Sequence, residues 1–279
     1  MAATRYVDIE LLIDEISGRY DHKAVDLTPD SVIDAQNELV SRSAAAGATV
    51  IGLTEINNPA RARASKWPGY TLNRNPSLQG GNSGDVGILT RDWVWKVVAA
   101  KTVVIGPDLG FGGQTCAQIT VAEHKVTGVR VTFTISHLAS GIEDNLARVD
   151  KDRLGRPVAR RDWLVDAYVE STVKWRAATR EMTTKYGSAH TLFMGDFNLD
   201  AHKAWVREML AQLFVPRLVT PLPSGGTHAG DRLIDLFLVS SKIVLGATGS
   251  WKILPATPGA TDHRAVRLRA KILHQQVRA

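Results

Sequence analysis

The sequence predicts a layered α/β fold in which mixed β-sheets pack together, without regular alternation of strands and helices. Many apolar segments have the length and composition of strands, whereas only a few segments show helical periodicity. These segments are spread evenly along the 279 residues, and no linker divides them. We therefore expect one domain over residues 1–279, with the weakest pattern in residues 1–30.

The first half of the chain supplies most of the predicted strands. Tyr6 to Ile16 is apolar and acidic by turns, and it fits either a strand or a short helix. A helix is predicted from Asp30 or Ser31, either of which can cap it, to about Ala46. The strands predicted after this helix are 48–54, 86–90, 93–105, 115–122 and 129–136.

The second half begins with the polar residues 139–158, which predict a surface loop. A long amphipathic helix is predicted from Arg160 to about Tyr186. Its expected apolar side consists of Trp163, Leu164, Ala167, Tyr168, Val173 and Ala177. The remaining predictions are a strand that ends at Gly195, a helix over about 202–214, strands over 232–240 and 244–253, and a last strand after His263.

Composition excludes several classes of protein. The chain has one cysteine, Cys116, so neither an internal disulfide framework nor a four-thiolate zinc site is possible. No apolar run is long enough to cross a bilayer, and the N-terminus lacks a secretory signal, so we expect a cytoplasmic protein with no membrane partner. The net charge of +6 favours a polyanionic partner, most commonly nucleic acid, although basic residues also serve solubility.

Polar residues interrupt or follow the predicted strands at five places. They are Glu55, His137, Asp196 with Asn198, Asp235, and Asp262 with His263. Each of them singly has an ordinary structural explanation. Because a rigid sheet holds the side chains at its strand ends in fixed geometry, five such places together predict a shared functional centre.

The segment 191–200 is the most informative of these places. An apolar run ends in Gly195, and Asp196 and Asn198 follow it two residues apart. If strand geometry continues, both side chains point to one spot. A carboxylate there can hold a hard cation, and a neutral amide can donate to a phosphate oxygen, so the pair suits chemistry on a phosphate ester.

Five short motifs follow one another between about residues 48 and 268. They are Leu53–Glu55, Ser136–Leu138, Gly195–Asn198, Ile234–Asp235 and Thr261–His263. This combination resembles the endonuclease/exonuclease/phosphatase superfamily, which includes deoxyribonuclease I-like nucleases and exonuclease III-like abasic-site endonucleases. The resemblance implies a four-layer sandwich, with two packed mixed β-sheets flanked by helices, and hydrolysis of a phosphoester with a divalent metal.

The resemblance also implies the metal ligands. Glu55 resembles the metal-binding glutamate, Asp262 a further metal-binding or orienting carboxylate, and Asp196 a residue that holds the metal, the attacking water or the phosphate. Carboxylates are hard oxygen ligands that suit Mg²⁺ or Mn²⁺, and such a cation neutralises charge on an anionic phosphodiester. We therefore expect Mg²⁺ or Mn²⁺ as the cofactor.

The catalytic residues implied by the resemblance are His263, Asp235, His137, Asp196 and Asn198. His263 resembles the catalytic histidine, and Asp235 resembles the acid that pairs with it. An imidazole has a near-neutral pKa and can accept a proton from water, while a bonded carboxylate fixes its tautomer. His137 resembles a second active-site histidine that contacts the phosphate, and Asn198 a neutral donor to the phosphoryl oxygens.

The N-terminal part of the sequence departs from the superfamily pattern. The superfamily begins with a strand that bears an Asn, but the first Asn here is Asn37, which falls within a predicted helix. Either this ligand is absent or an acid replaces it, and the candidates are Asp8, Glu10, Asp14 and Glu15.

These observations lead to an expected function with two alternatives. The expectation is a monomeric, metal-dependent phosphodiester hydrolase, an endonuclease acting on DNA. The first alternative is a phosphatase or phospholipase-like phosphodiesterase of the same fold, acting on an inositol phosphate or sphingomyelin. The second is a catalytically impaired nucleic-acid-binding module, which the missing early Asn favours and the two histidines with the later acids disfavour.

Overall fold

Two mixed β-sheets lie face to face at the centre of the molecule in the computed structural model. The structure describes residues 5–17, 29–54, 67–74, 86–107, 114–146, 150–151, 155, 157, 162–228, 230–240, 243–245, 251–255 and 263–276. The strands in these ranges are β1 (Arg5–Ser17), β2 (Val50–Thr54), β3 (Tyr70–Asn73), β4 (Gly87–Arg91), β5 (Trp95–Pro107), β6 (Gln114–His124), β7 (Arg130–His137), β8 (His190–Asp196), β9 (Arg217–Leu218), β10 (Asp235–Val239), β11 (Ile243–Leu245), β12 (Trp251–Ile253) and β13 (Val266–Gln276). The helices are α1 (Pro29–Ala45), α2 (Ile142–Leu146), α3 (Asp162–Lys185) and α4 (Ala204–Leu213).

Each sheet contains one parallel pair of strands among antiparallel ones. The first sheet has the order β11-β13-β1-β2-β4-β3, with β12 also paired to β13, and its parallel pair is β1 with β2. The second has the order β5-β6-β7-β8-β10-β9, and its parallel pair is β7 with β8. A parallel pair needs a crossover connection, and here α1 links the first pair while α2 and α3 link the second.

The helices cover the outer faces of the two sheets and complete a four-layer sandwich. Leu39 and Val40 of α1 pack with Ile51 of β2 and Leu89 of β4. On the other side, α3 packs along β5, β6 and β7. The sequence-based prediction of the fold class is confirmed, because both sheets are mixed and helices flank them.

Gly52 shows how closely the two sheets approach each other. A Cβ atom added at this position would lie 2.8 Å from both Ile135 Cδ1 and Met194 Sδ. Real Cβ atoms do not approach other heavy atoms this closely, so glycine allows β2 to lie directly on β7 and β8. Ile135 and Met194 are each two residues before a predicted site residue, namely His137 and Asp196.

The buried face of α3 differs from the predicted one. Trp163 and Val173 are 53% and 51% exposed, so their expected places on the apolar side are wrong. The buried side chains are Leu164, Tyr168, Ser171, Thr172, Trp175, Ala178, Thr179 and Met182. Thr172 and Thr179 donate to the carbonyl oxygens of the residues four positions earlier, at 3.0 and 2.8 Å. A hydroxyl satisfied in this way can be buried, which a search for apolar residues does not detect.

An aromatic cluster fixes the segment that follows β8. Trp175 packs against Phe193, Phe197 and Phe214 with ring centroids 5.0–5.7 Å apart, and its Nε1 donates to Thr134 Oγ1 at 2.6 Å. Edge-to-face aromatic pairs add about 0.5–1.5 kcal/mol each beyond the area that they bury. The backbone around Phe197, next to Asp196, is therefore held from the α3 side.

Three other predictions are settled by the structure. Residues 6–16, for which a strand and a short helix stayed open, form most of β1. The loop prediction for 139–158 is wrong in part, because α2 lies within it and buries Ile142 and Glu143. The single strand over 244–253 is also wrong, because β11 and β12 pair separately with β13. None of the helices in the described ranges has both the length and the hydropathy that a bilayer crossing requires.

Candidate active site

Three of the predicted site residues lie side by side on neighbouring strands of the second sheet. His137 ends β7 and Asp196 ends β8, and the parallel register places the two residues opposite each other. Asp235 begins β10, and the antiparallel register places it opposite Asp196 on the other side. Adjacent strands are about 4.8 Å apart, so residues in register form a row of close neighbours.

His263 approaches this row from the segment that leads into β13 of the first sheet. Its Nδ1 lies 2.9 Å from Asp235 Oδ2, which is hydrogen-bonding distance. Its Nε2 lies 3.7 Å from Asp196 Oδ2, and His137 Nε2 lies 3.5 Å from the same oxygen. Both imidazoles and both carboxylates thus converge on one point at which the two sheets meet.

Three of these four side chains are almost completely buried, and this burial affects the ionisation of Asp196. Asp196, Asp235 and His263 are 3%, 0% and 3% exposed. Burial, together with the nearby Asp235 carboxylate, raises the pKa of Asp196 to about 6, against the opposing effects of His137, His263 and the hydrogen bond from the Asn198 backbone N–H. Two carboxylates in a site with little water favour a proton or a cation between them.

Thr227 and His228 support His263 and Asp235, a role that the sequence did not indicate. Thr227 Oγ1 accepts hydrogen bonds from the backbone N–H groups of Ile234 and Asp235, each at 3.2 Å. The ring of His228 packs edge-on against that of His263, with centroids 4.8 Å apart. The only sequence signal for this support is that a Thr-His pair precedes the strand that bears Asp235.

Asn198 occupies a different position from the one expected of an extended strand. Its φ of 53° is left-handed, so strand geometry does not continue beyond Asp196. The backbone N–H of Asn198 donates to Asp196 Oδ1 at 2.7 Å, and its side-chain Nδ2 donates to the Leu138 carbonyl at 2.7 Å. Asn198 therefore ties the end of β8 to the end of β7, and its contact with a phosphate stays a prediction.

An ionic network around the buried Glu143 lies next to Asn198, and the sequence did not predict it. Glu143 is 5% exposed, and its carboxylate accepts hydrogen bonds from Lys203 Nζ, from Arg232 Nη2 at 3.0 Å and from the Asp200 N–H at 2.9 Å. Arg232 also donates to the Asn198 carbonyl at 3.1 Å. Because the sequence pattern assigned Glu143 to a solvated loop, its burial became evident only from the fold.

Two predicted metal ligands, Glu55 and Asp262, lie outside the described residues. Glu55 directly follows Thr54, the last residue of β2, and Asp262 directly precedes His263. Gly52 packs against residues of β7 and β8 close to their carboxyl ends, so the end of β2 approaches the row of site residues. The assignment of both residues to the metal stays a prediction.

The pairing of β1 with β2 reduces the number of acids that could replace the early Asn as a metal ligand. Ser17 pairs with Thr54, and Glu15 pairs with Gly52. Glu10 lies seven residues before Ser17, which is about 23 Å along a strand. Asp8 and Glu10 are therefore too far from the end of β2 to join a ligand there, and of the four candidate acids only Asp14 and Glu15 lie in the paired segment.

The described residues fit a divalent metal ion. Asp196, Asp235 and His263 offer ligand atoms that all lie within 4.8 Å of one another. Hard carboxylate oxygens are the ligands that Mg²⁺ and Mn²⁺ prefer. Since Asp235 Oδ2 already binds His263, Asp196 is the described residue best placed to hold the ion.

Comparisons with known proteins agree with this architecture. A model of the Endonuclease/Exonuclease/phosphatase family matches residues 25–263. An endonuclease/exonuclease/phosphatase from Bacteroides vulgatus has a similar structure, with a TM-score of 0.69, 14% identity, and coverage of 95% of this chain and 99% of that chain. No curated protein matches the chain in sequence.

Two further structures with named activities or ligands share the fold. A mannosyl-6-phosphatase from Bacteroides thetaiotaomicron has a TM-score of 0.61 at 12% identity, with coverage of 93% of this chain and 99% of that chain. The TDP2 protein of D. rerio, complexed with a single-strand DNA product, has a TM-score of 0.57 at 13% identity, with coverage of 94% and 98% respectively. At these identities the similarity extends to the fold alone.

Proposed function

The chain belongs to the Endonuclease/Exonuclease/phosphatase family, whose members hydrolyse phosphoester bonds and are typically dependent on a divalent metal, and we propose that it is a metal-dependent endonuclease acting on DNA. The observation that carries this proposal is the convergence of His263, Asp235, Asp196 and His137 on one buried point. A binding module needs no histidine bonded to a buried carboxylate beside a second carboxylate, whereas a hydrolase does.

In this proposal His263 acts as the general base. The Asp235 carboxylate binds Nδ1 and so fixes the tautomer in which Nε2 accepts a proton. Nε2 faces Asp196 Oδ2 across 3.7 Å, and a water molecule bound at Asp196 can pass its proton to this nitrogen. General acid–base help of this kind is worth about 10²–10⁴ in rate.

The other residues position the phosphate. His137 Nε2, on the opposite side of Asp196 Oδ2 at 3.5 Å, can donate to a phosphoryl oxygen. A divalent ion held by Asp196, with Glu55 and Asp262 as further predicted ligands, would supply neutralisation of the charge on the phosphoryl group.

DNA is the proposed substrate because of the charge around the site. The chain has a net charge of +6. Arg232 and Lys203, whose side chains are 22% and 45% exposed, both pair with the carboxylate of Glu143. Arg264 is exposed next to His263. Such cations attract the phosphates of a polyanion, while their sequence-independent attraction does not itself select a base.

The test is cleavage of supercoiled plasmid in Mg²⁺ or Mn²⁺, with and without EDTA. We expect nicking that requires the metal and is lost in His263→Ala and Asp196→Ala. His124→Gln is the matched control, because His124 lies at the opposite end of β6 and β7 from the site, and this variant should retain full activity. If the protein cleaves no nucleic acid but hydrolyses an inositol phosphate, the DNA assignment is wrong and the phosphatase alternative replaces it.

A further inference from the structure

A concave site lies on α3, away from the candidate active site. It has a volume of about 630 Å³ and is formed between the second half of α3, the start of β8 and the segment after α4. Small-molecule sites typically have volumes of about 300–1,000 Å³. Thr191 and Phe193 line this cavity. They precede Asp196 on β8 by five and three positions, so their side chains point to the opposite face of the sheet from that of Asp196. The cavity is therefore a separate site and does not depend on the proposed hydrolase function.

The lining of this cavity is largely apolar. Val173, Ala177, Phe193, Val215 and Pro216 contribute to it. Val173 and Val215 are 51% and 88% exposed, which makes them two of the few large hydrophobic side chains exposed in the described part of the chain. Exposed apolar side chains gathered around one concave surface indicate a site for an apolar ligand.

Two arginines give the cavity its electrostatic character. Arg176 and Arg180 line it, one helical turn apart on α3. Within the described ranges neither guanidinium has an acidic partner, whereas Lys174 on the same helix binds Glu170 at 2.7 Å. Two like charges four residues apart on a helix repel each other. A bound anion would relieve this repulsion, because both guanidinium groups can donate charge-assisted hydrogen bonds to it.

We propose that this cavity binds a monomeric anionic amphiphile, an aliphatic chain that ends in a single carboxylate, such as a medium-chain fatty acid. The aliphatic chain would lie against Val173, Ala177 and Phe193. The carboxylate would lie between Arg176 and Arg180. The ligand needs both an apolar chain and a negative charge, because the cavity has both apolar side chains and two arginines. A purely apolar molecule would leave the arginines without a partner, and a small inorganic anion would leave the apolar side chains uncovered.

The experiment is calorimetric titration of the full chain with octanoate and decanoate below their micelle concentrations. We expect one saturable site, with decanoate bound about tenfold more tightly than octanoate, because two more methylene groups are buried. Decanol and decyltrimethylammonium, which have the same chain without the negative charge, should bind at least about tenfold more weakly than decanoate.

Substitutions locate the binding to this cavity. Arg176→Gln and Arg180→Gln should each weaken decanoate binding by about tenfold, and Ala177→Trp should abolish it by filling the cavity. Lys174→Gln is the matched control, since it removes one positive charge from the same helix outside the cavity, and it should leave the affinity unchanged. The proposal is overturned if decanoate does not saturate one site, if the three head groups bind equally, or if the double arginine variant binds as the natural protein does. Binding only to anionic vesicles, and not to monomeric decanoate, would also overturn it.

Discussion

Replacement of Asp196 by Asn is expected to stabilise the protein at neutral pH while it abolishes activity. Asp196 is 3% exposed and lies beside the fully buried Asp235. Asn has nearly the shape of a protonated Asp, and its side-chain oxygen can still accept the hydrogen bond from the Asn198 N–H. The variant therefore removes the charge while it preserves the local structure.

The size of the expected stabilisation follows from the pKa of the Asp196 carboxyl. Its rise from the usual 3.8 to about 6 corresponds to a penalty of about 3 kcal/mol on the ionised folded state, because one pKa unit is worth about 1.36 kcal/mol. Below about pH 3 the group is protonated in both states and contributes no difference. As the pH rises to about 6 the unfolded chain loses its proton first, so the folded state loses stability, and above about pH 6 the whole penalty is present.

Urea-induced unfolding in EDTA at about pH 3 and pH 7.5 tests this expectation. The free energy of unfolding of Asp196→Asn should match that of the natural protein near pH 3 and exceed it by up to about 3 kcal/mol at pH 7.5. Asp166→Asn replaces an exposed acid on α3, and its free energy of unfolding should equal that of the natural protein at both pH values. Mg²⁺ should stabilise the natural protein but not Asp196→Asn. The reasoning would be refuted if the difference in stability between Asp196→Asn and the natural protein did not change with pH. It would also be refuted if Asp196→Asn were the less stable protein at pH 7.5.

Three other substitutions have defined outcomes, and two of them have a matched control. Asp235→Asn should lower kcat by about 10²–10⁴ with an unchanged circular dichroism spectrum, because it disturbs the histidine tautomer; normal kcat would exclude the proposed pairing. Gly195→Ala should lower the free energy of unfolding by about 3 kcal/mol, because φ is 126° and a Cβ would overlap a carbonyl of β7. Gly187→Ala, with φ of 62° in open space, should cost only about 1 kcal/mol in the same urea titration. Glu143→Gln should lower the free energy of unfolding by about 2 kcal/mol, because Lys203 and Arg232 lose their carboxylate partner. The exposed Glu181→Gln should change it by less than about 0.5 kcal/mol. Equal effects of the two substitutions would contradict a structural role for the Glu143 network.

The fold was predictable because strands and helices have different hydrophobic periods. The helices α1, α3 and α4 and most of the strands lie close to their predicted positions. Two of the errors occur where polarity and burial diverge. The face of α3 buries hydroxyls that bond to their own helix, and α2 buries Glu143 because Arg232 and Lys203 reach it from distant segments.

The candidate site was predictable as a set of residues but not as a geometry. Asp196, Asp235, His137 and His263 were selected by their places at strand ends and by motif, and the structure brings them together. The position of Asn198 was not predictable, because its left-handed backbone ends the alternation on which the expectation depended.

The sequence by itself determined the class of fold, the family and the four residues that the structure brings together, Asp196, Asp235, His137 and His263. It could do so because hydrophobic periodicity and short motifs are local properties of the chain. Only the tertiary structure decided which residues become neighbours: the register that aligns three strands, the contact between His263 and Asp235 across the two sheets, and the apolar cavity with its two arginines. Such contacts depend on strand pairing and packing between segments far apart in the chain, and no local pattern encodes them.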